Sequence, residues 1–342
     1  MGGVFIQSRV SVRGCSFKPS SELSLIGIEI KREGAYDITI KEAKVQFDLF
    51  SLFKPGSLKL ILKEARVFVN TPNKGIRELS GYLKLRSGGA AVFGYAEVKD
   101  AKLDLNTQDS RAKAALSCGI NILGQSADYL NLKLAELKLS AVQLEDAFLE
   151  LKQGLGRGTL NLSKVKYDKL NITDIKGAIK LEGKTLFLSS LSARALDGDL
   201  QGDFNCEMDK GIQFIATLKF IGLDIEQFVR DFNLREKFNM TGRLKGELVI
   251  GGSAWRIAML KGDFFTLEPG GMLVIKDTKF LENMARRTRQ PLDLLVESFK
   301  NYGYNVGLMT LGIEESNIIF KMTLEGEAGK RNLSVVLHDF DL

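Results

Sequence analysis

The sequence predicts a mostly β protein: a long curved antiparallel β-sheet forming an open hydrophobic groove, with two or three short helices. Three observations lead there. Apolar and polar residues alternate with period two through most of the chain, which marks strands with one apolar face. Glycine is abundant, 34 of 342 residues against a usual share of about 7%, while proline is scarce at 5. Many turns and few prolines suit unbroken ladders, because proline lacks the N–H that a ladder needs. The third observation is how little of the chain carries a helical period.

Taken in order, the strand signals begin at Leu58-Lys59-Leu60, which leads into Ile61 and Leu62, and continue with Val67-Phe68-Val69. Val98 to Leu105, Leu132-Lys133-Leu134 and Leu137-Lys138-Leu139 repeat the pattern, as do Ile179-Lys180-Leu181, Leu186-Phe187-Leu188 and Leu244 to Ile250. Turn signals separate them at Glu33-Gly34, Pro55-Gly56, Gly88-Gly89, Glu182-Gly183, Asp197-Gly198, Gly251-Gly252 and Gly270-Gly271. A weak repeat runs through the first half: an apolar residue, a polar one, an acid, then alanine. It occurs at Ile40-Lys41-Glu42-Ala43, Leu62-Lys63-Glu64-Ala65, Val98-Lys99-Asp100-Ala101 and Leu144-Glu145-Asp146-Ala147. Its period is not constant, which argues against a regular solenoid. It reads as a strand–kink–strand unit in which the small alanine relieves crowding where the sheet curves.

Helices are expected near 224–232 and 278–302. The first places Ile225, Phe228, Val229 and Phe232 on one stripe, with Asp224 and Gln227 resembling a capping box. The second carries Leu292, Leu295, Val296 and Phe299 on a stripe, with Pro291 suited to a first turn. Proline disfavours helix at the residue before it, so two helices or a kink are expected there. So few helices cannot cover the strands of a chain this long. The sheet must fold onto itself or present its apolar face to something else. A length of 342 residues exceeds the roughly 250–300 at which single cores stop growing. The chain reads as an N-terminal β-groove segment, 1–153, and a C-terminal β segment, 154–342, making one elongated sheet.

The residues exclude much chemistry. One histidine, His338, argues against histidine-based hydrolases, proteases and zinc enzymes. Cys15, Cys118 and Cys206 lie far apart and read as buried or partly buried thiols, with neither metal-ligand spacing nor a disulfide framework. Asp197-Gly198-Asp199 opens like a calcium loop, but Gln201 and Met208 stand where acids are needed, so a hairpin turn is expected. Gly154-Leu155-Gly156 departs from the phosphate-cradle pattern. Glu314-Glu315, and Asp339 with Asp341, read as solvated acids. Trp255 reads as a core plug beside a turn. No cofactor, metal or catalytic residue is expected. The net charge is +6 and evenly mixed. The only basic cluster is Arg286, Arg287 and Arg289, without the interleaved aromatics of a single-strand nucleic-acid binder, so no nucleic acid is expected.

Met240-Thr241-Gly242-Arg243-Leu244-Lys245-Gly246-Glu247-Leu248-Val249-Ile250-Gly251-Gly252, followed by Leu260-Lys261-Gly262-Asp263-Phe264 and Pro269-Gly270-Gly271-Met272-Leu273, resembles the AsmA-like family of bacterial envelope proteins. Leu191 to Phe204 looks like the family's strand–Gly–strand hairpin, Gly222 to Phe232 like its connecting helix, and Phe50-Ser51-Leu52-Phe53 like a short helix or turn between N-terminal strands. The resemblance implies a non-enzymatic protein that binds or conducts phospholipid acyl chains along a hydrophobic β-groove between inner and outer membrane. The alternative is a structural or assembly module affecting outer-membrane biogenesis without lipid transfer. The implied location is periplasmic, tethered to the inner membrane by a helix absent from this sequence. The implied partners are phospholipid, the membrane surface and other envelope proteins. Candidate groove residues are the strand positions Val67, Val69, Leu103, Leu105, Leu149 and Leu151. Candidate headgroup contacts are Arg286, Arg287 and Arg289.

Overall fold

A computed structural model of the chain describes residues 9–19, 21–48, 57–71, 93–108, 110–121, 126–139, 142–152, 156–167, 169–209, 211–253, 256–314 and 317–337. The turn signals at Pro55-Gly56 and Gly88-Gly89, the segment Phe50 to Phe53, and Gly154, Leu155, Trp255, Glu315, His338, Asp339 and Asp341 lie outside them. The chain divides into two compact units: Met1–Asp168 with Ala178–Gly183, and Lys169–Gly177 with Lys184–Leu342.

The first unit holds β1 (Arg9–Lys18), β2 (Glu22–Arg32), β3 (Tyr36–Gln46), β4 (Leu58–Thr71), β5 (Phe93–Thr107), β6 (Ser110–Asn121), β7 (Ser126–Leu139), β8 (Val142–Leu151) and β9 (Arg157–Tyr167). Each strand pairs antiparallel with the next, except that β4 and β5 run parallel, with Val67 beside Leu103 and Val69 beside Leu105. That pair departs from an all-antiparallel sheet. Strand β10 (Leu170–Glu182) divides between the units.

In the second unit follow β11 (Thr185–Ala195), β12 (Gly198–Glu207), β13 (Gln213–Asp224), α1 (Ile225–Asp231), β14 (Phe238–Met240), β15 (Arg243–Ser253) and β16 (Arg256–Thr266). Then come β17 (Gly271–Ile275), α2 (Thr278–Thr288), α3 (Leu292–Lys300), β18 (Tyr302–Tyr304), β19 (Val306–Glu314), β20 (Asn317–Gly326) and β21 (Gly329–Leu337). Antiparallel ladders join β11, β12, β13, β15, β16, β19, β20 and β21 in that order, while β14, β17 and β18 form a small separate sheet. The fold is thus mostly β, with short helices as expected. Among the described residues no helix is long and apolar enough to cross a membrane.

The acid of the repeat, not its alanine, makes the kink. Glu64, Asp100 and Asp146 take positive φ of 49°, 54° and 51°, and Asp174 and Ser190 do the same at 55° and 52°. Around each, apolar residues stand three apart instead of two: Leu62 to Ala65, Val98 to Ala101, Leu144 to Ala147, Ile172 to Ile175, Leu188 to Leu191. The left-handed residue absorbs one step of the alternation, so both halves of the strand keep their apolar side chains on one face. Short polar side chains tolerate this backbone better than branched ones. Two of the displaced amides find side-chain acceptors: Asp100 N–H donates to Ser117 Oγ at 3.0 Å and Ser190 N–H to Asp203 Oδ1 at 3.3 Å. The Glu42 copy has no positive φ and is ordinary strand.

Four local expectations change. Gly251-Gly252 is not a turn but an irregularity within β15 against β16. Pro291 is the N-cap of α3, not its first turn, because its ψ of 134° is extended. Val296 is 40% exposed, so the buried stripe of α3 narrows to Leu295 and Phe299. Cys15 is exposed, since almost every residue of β1 is, whereas Cys118 and Cys206 are buried. The Asp197-Gly198 hairpin is as expected: Leu196 and Asp197, at φ 47° and 60°, join β11 to β12 in a two-residue turn.

Candidate functional site: an apolar cavity beneath a short helix

The core of the second unit forms where the helices meet the sheet. Val229, Leu273, Leu281, Leu295, Phe299 and Tyr302 are almost fully buried. Tyr304 Oη donates to Thr241 O at 2.6 Å, and burial pushes its hydroxyl pKa well up. Helix α1 starts as its sequence predicts: Asp224 Oδ1 accepts from Gln227 N–H at 3.1 Å. Ile225 and Val229 are buried, while Phe228 and Phe232 pack ring to ring at 4.6 Å.

Between this helix and the sheet lies a cavity of about 310 Å³. Its walls come from Phe228 on α1 and Phe232 at its C-cap, and from β10, β13, β15, β16, β19 and β20 within the second unit. Leu218 and Phe220 face Leu248 and Gly246 across the β13–β15 ladder, and Gly246 in turn faces Phe264. A Cβ at Gly246 would lie 2.5 Å from the Phe264 ring, so glycine is what lets the Phe220 and Phe264 rings approach to 6.0 Å. Asp224 and Thr310 are the polar members of the lining, and the Asp224 carboxylate is engaged in capping α1.

The candidates named from sequence lie elsewhere. Val67, Val69, Leu103 and Leu105 share one face of the first unit, and the register carries that face through Ala114 and Leu134 to Ala147, Leu149 and Leu151. Val69 and Leu151 are buried, Val67, Leu105 and Leu149 half-buried, and Leu103 is 38% exposed. None of the six lines the cavity of the second unit. Arg286 is exposed and donates to Asn283 Oδ1 at 2.6 Å, Arg289 is the left-handed C-cap of α2, and the Arg287 side chain lies outside the described residues. The cavity residues that sequence reasoning missed had one usable signal, the α1 stripe with its two phenylalanines.

The first unit also holds a polar network on the other face of its sheet. Glu97, 9% exposed, accepts from Tyr129 Oη at 3.0 Å and pairs with Lys99 at 3.2 Å and Lys59 at 3.3 Å. Burial works to raise the Glu97 pKa, but these hydrogen bonds outweigh it and hold it below the usual range. Burial, then the bond to Asp128, pushes Tyr95 up to about 12. Glu42 lies in a second such cluster. The Lys63 hydrogen bond, at 2.9 Å, with those from Lys44 and Ser24, overcomes burial and holds its carboxyl at about 2.

A pKa depressed in the folded state contributes stability above the unfolded value, near 4.3, and loses it as pH falls through the folded one. The first unit is therefore expected to lose stability between about pH 5 and pH 2. Urea midpoints measured across that window should fall steeply for the native chain and less steeply for Glu42→Gln. Parallel slopes would remove Glu42 from the account.

Compared with family models, with curated proteins and with solved structures, the chain matches none.

Proposed function

We propose that the protein binds the acyl chain of a lipid in the cavity of its second unit and acts as a non-enzymatic lipid carrier or conduit of the cell envelope. One observation carries the reading: a half-open space of about 310 Å³ walled almost wholly by aliphatic and aromatic side chains. Ligand pockets run from about 300 to 1,000 Å³. Each methylene moved from water into such a space is worth about 0.8 kcal/mol. A saturated chain would gain affinity with every carbon it inserts and would need no fixed polar partner. The resemblance to AsmA-like envelope proteins points to the same class of ligand, with the periplasm as the place of action.

The test is mass spectrometry of lipids that co-purify with the full chain in the absence of detergent, followed by titration of the delipidated protein with a fluorescent fatty acid. Stoichiometric lipid is expected, together with saturable binding that weakens at least tenfold in Leu248→Trp, whose indole occupies the space. That variant should keep its urea midpoint, because filling a void costs a fold little. A lipid-free native protein that also fails to bind the fatty acid would reject the reading in favour of a self-filled structural module.

A further inference from the structure

The first unit carries a second concavity, whose lining includes Val67, Leu103, Ala114, Leu134 and Ala147 together with charged residues of the face opposite them. The register sets Arg66 beside Lys102, Lys102 opposite Ala115, Ala115 opposite Lys133, and Lys133 opposite Phe148. Cross-strand partners point to the same side of a sheet, so these five form one row. A second row on that face runs from Phe68 through Asp104 to Lys113. Between the rows the backbone of β4 to β8 floors a trough of about 840 Å³, kept open in the middle by the short side chain of Ala115.

The cations of this trough stand near acids, with Lys113 between Asp104 and Glu136 in the register, but none closes an ion pair within 4 Å among the described residues. Lower on the same strands, Lys59, Lys63 and Lys99 each pair with a carboxylate at 3.3 Å or less. Arg66, Lys102, Lys113 and Lys133 form no ion pair with any described residue, although Asp104 and Asp146 line the same trough. Lys133 is steadied instead by the Phe148 ring, with Nζ 5.9 Å from its centroid. Among the lining residues, four cations against two acids leave an excess of positive charge in an open trough. Adjacent strands are about 4.8 Å apart, so Arg66 and Lys102 stand one step apart, and Lys102 and Lys133 two steps, or about 10 Å, apart. A single phosphate can engage only the Arg66–Lys102 end. A ligand that engages the whole row needs anionic groups at both ends.

We infer that this trough is a binding site for a ligand carrying at least two phosphate groups, held by Arg66 and Lys102 at one end and Lys133 at the other. The inference is independent of the acyl-chain cavity, which lies in the other unit. Such phosphates belong either to a soluble oligophosphate or to the headgroup of a diphosphate lipid. The experiment uses the full chain at low ionic strength, where exposed charges are least screened. Tripolyphosphate is titrated calorimetrically, and in parallel the protein is sedimented with phosphatidylcholine vesicles with and without cardiolipin. The double variant Lys102→Gln/Lys133→Gln is compared with Lys180→Gln/Lys219→Gln, which removes the same charge from outside the trough. Saturable binding in either arm, weakened about tenfold by the trough variant and no more than twofold by the control, supports the site. The arm that responds identifies the soluble or the lipid source. Absence of binding in both arms, or equal losses in the two double variants, overturns it.

Discussion

Deleting Glu64 is expected to unfold the first unit, while replacing it is not. Glu64 sits at φ 49° in β4, and the ladders to β3 and β5 hold register on both sides of it. Removing it closes the three-residue step from Leu62 to Ala65 to two. The residues beyond the deletion then turn over, sending Val67 and Val69 to the face of Arg66 and Phe68. Val69 is 6% exposed and packs with Ala35 and Tyr36, so this exchange removes apolar surface from a closed cluster and buries a guanidinium in its place. Two valines at about 1.5–3 kcal/mol each, before the charge is counted, set a loss on the order of 4 kcal/mol. Asn or Gly at the same position keeps the count and suits the left-handed backbone, so Glu64→Asn and Glu64→Gly should stay within about 1 kcal/mol of the native protein. Urea unfolding followed by circular dichroism separates the cases. A deletion variant as stable as the native chain would mean that the kink does not set the phase.

This device explains how much of the fold the sequence discloses. Alternation is a local property, so strands such as Leu186 to Leu188 or Leu244 to Ile250 can be read directly, and so can the α1 stripe with its Asp224 cap. The repeat is also visible. Its mechanism is not, because a residue's φ is not written in its polarity: the alanine is the distinctive residue of the repeat, while the acid before it makes the kink. The parallel pairing of β4 with β5 was hidden for a different reason. Alternating residues serve parallel and antiparallel neighbours equally well, and nothing in Val67-Phe68-Val69 names Leu103 as its companion.

The cavity was less legible still. Its wall joins Ile172 to Phe320, residues brought together only by the stacking of many ladders, and each contributing strand looks like any other half-buried strand. The basic trough failed for a related reason. A lysine alternating with leucine, as at Leu132-Lys133-Leu134, is the pattern of a solvated face. What distinguishes Lys133 is the absence of a carboxylate opposite it, which depends on register. Sequence period reports which residues share a face. Register decides which faces become sites.

Truncating Phe220 to alanine should cost the second unit about 3–5 kcal/mol, the usual price of removing a buried ring, and the loss should be recoverable by a ligand. Phe220 is 9% exposed, its ring stands 6.0 Å from that of Phe264, and it already borders the cavity. Its removal therefore enlarges a space that exists instead of opening an isolated one. The neighbouring ladder, pinned by Leu218 opposite Leu248, has little freedom to collapse into the gap. If the cavity takes acyl chains, the enlarged space accepts more methylenes. The variant should then be stabilised by a saturated fatty acid more than the native protein is, since a ligand that binds only the folded state adds stability in proportion to the logarithm of its saturation. Thermal unfolding of both proteins, with and without laurate, reads the two effects in one experiment. A loss below about 1 kcal/mol would show that Phe220 is not part of a packed wall. A full loss without rescue would leave the wall intact as structure and remove the acyl chain as its occupant.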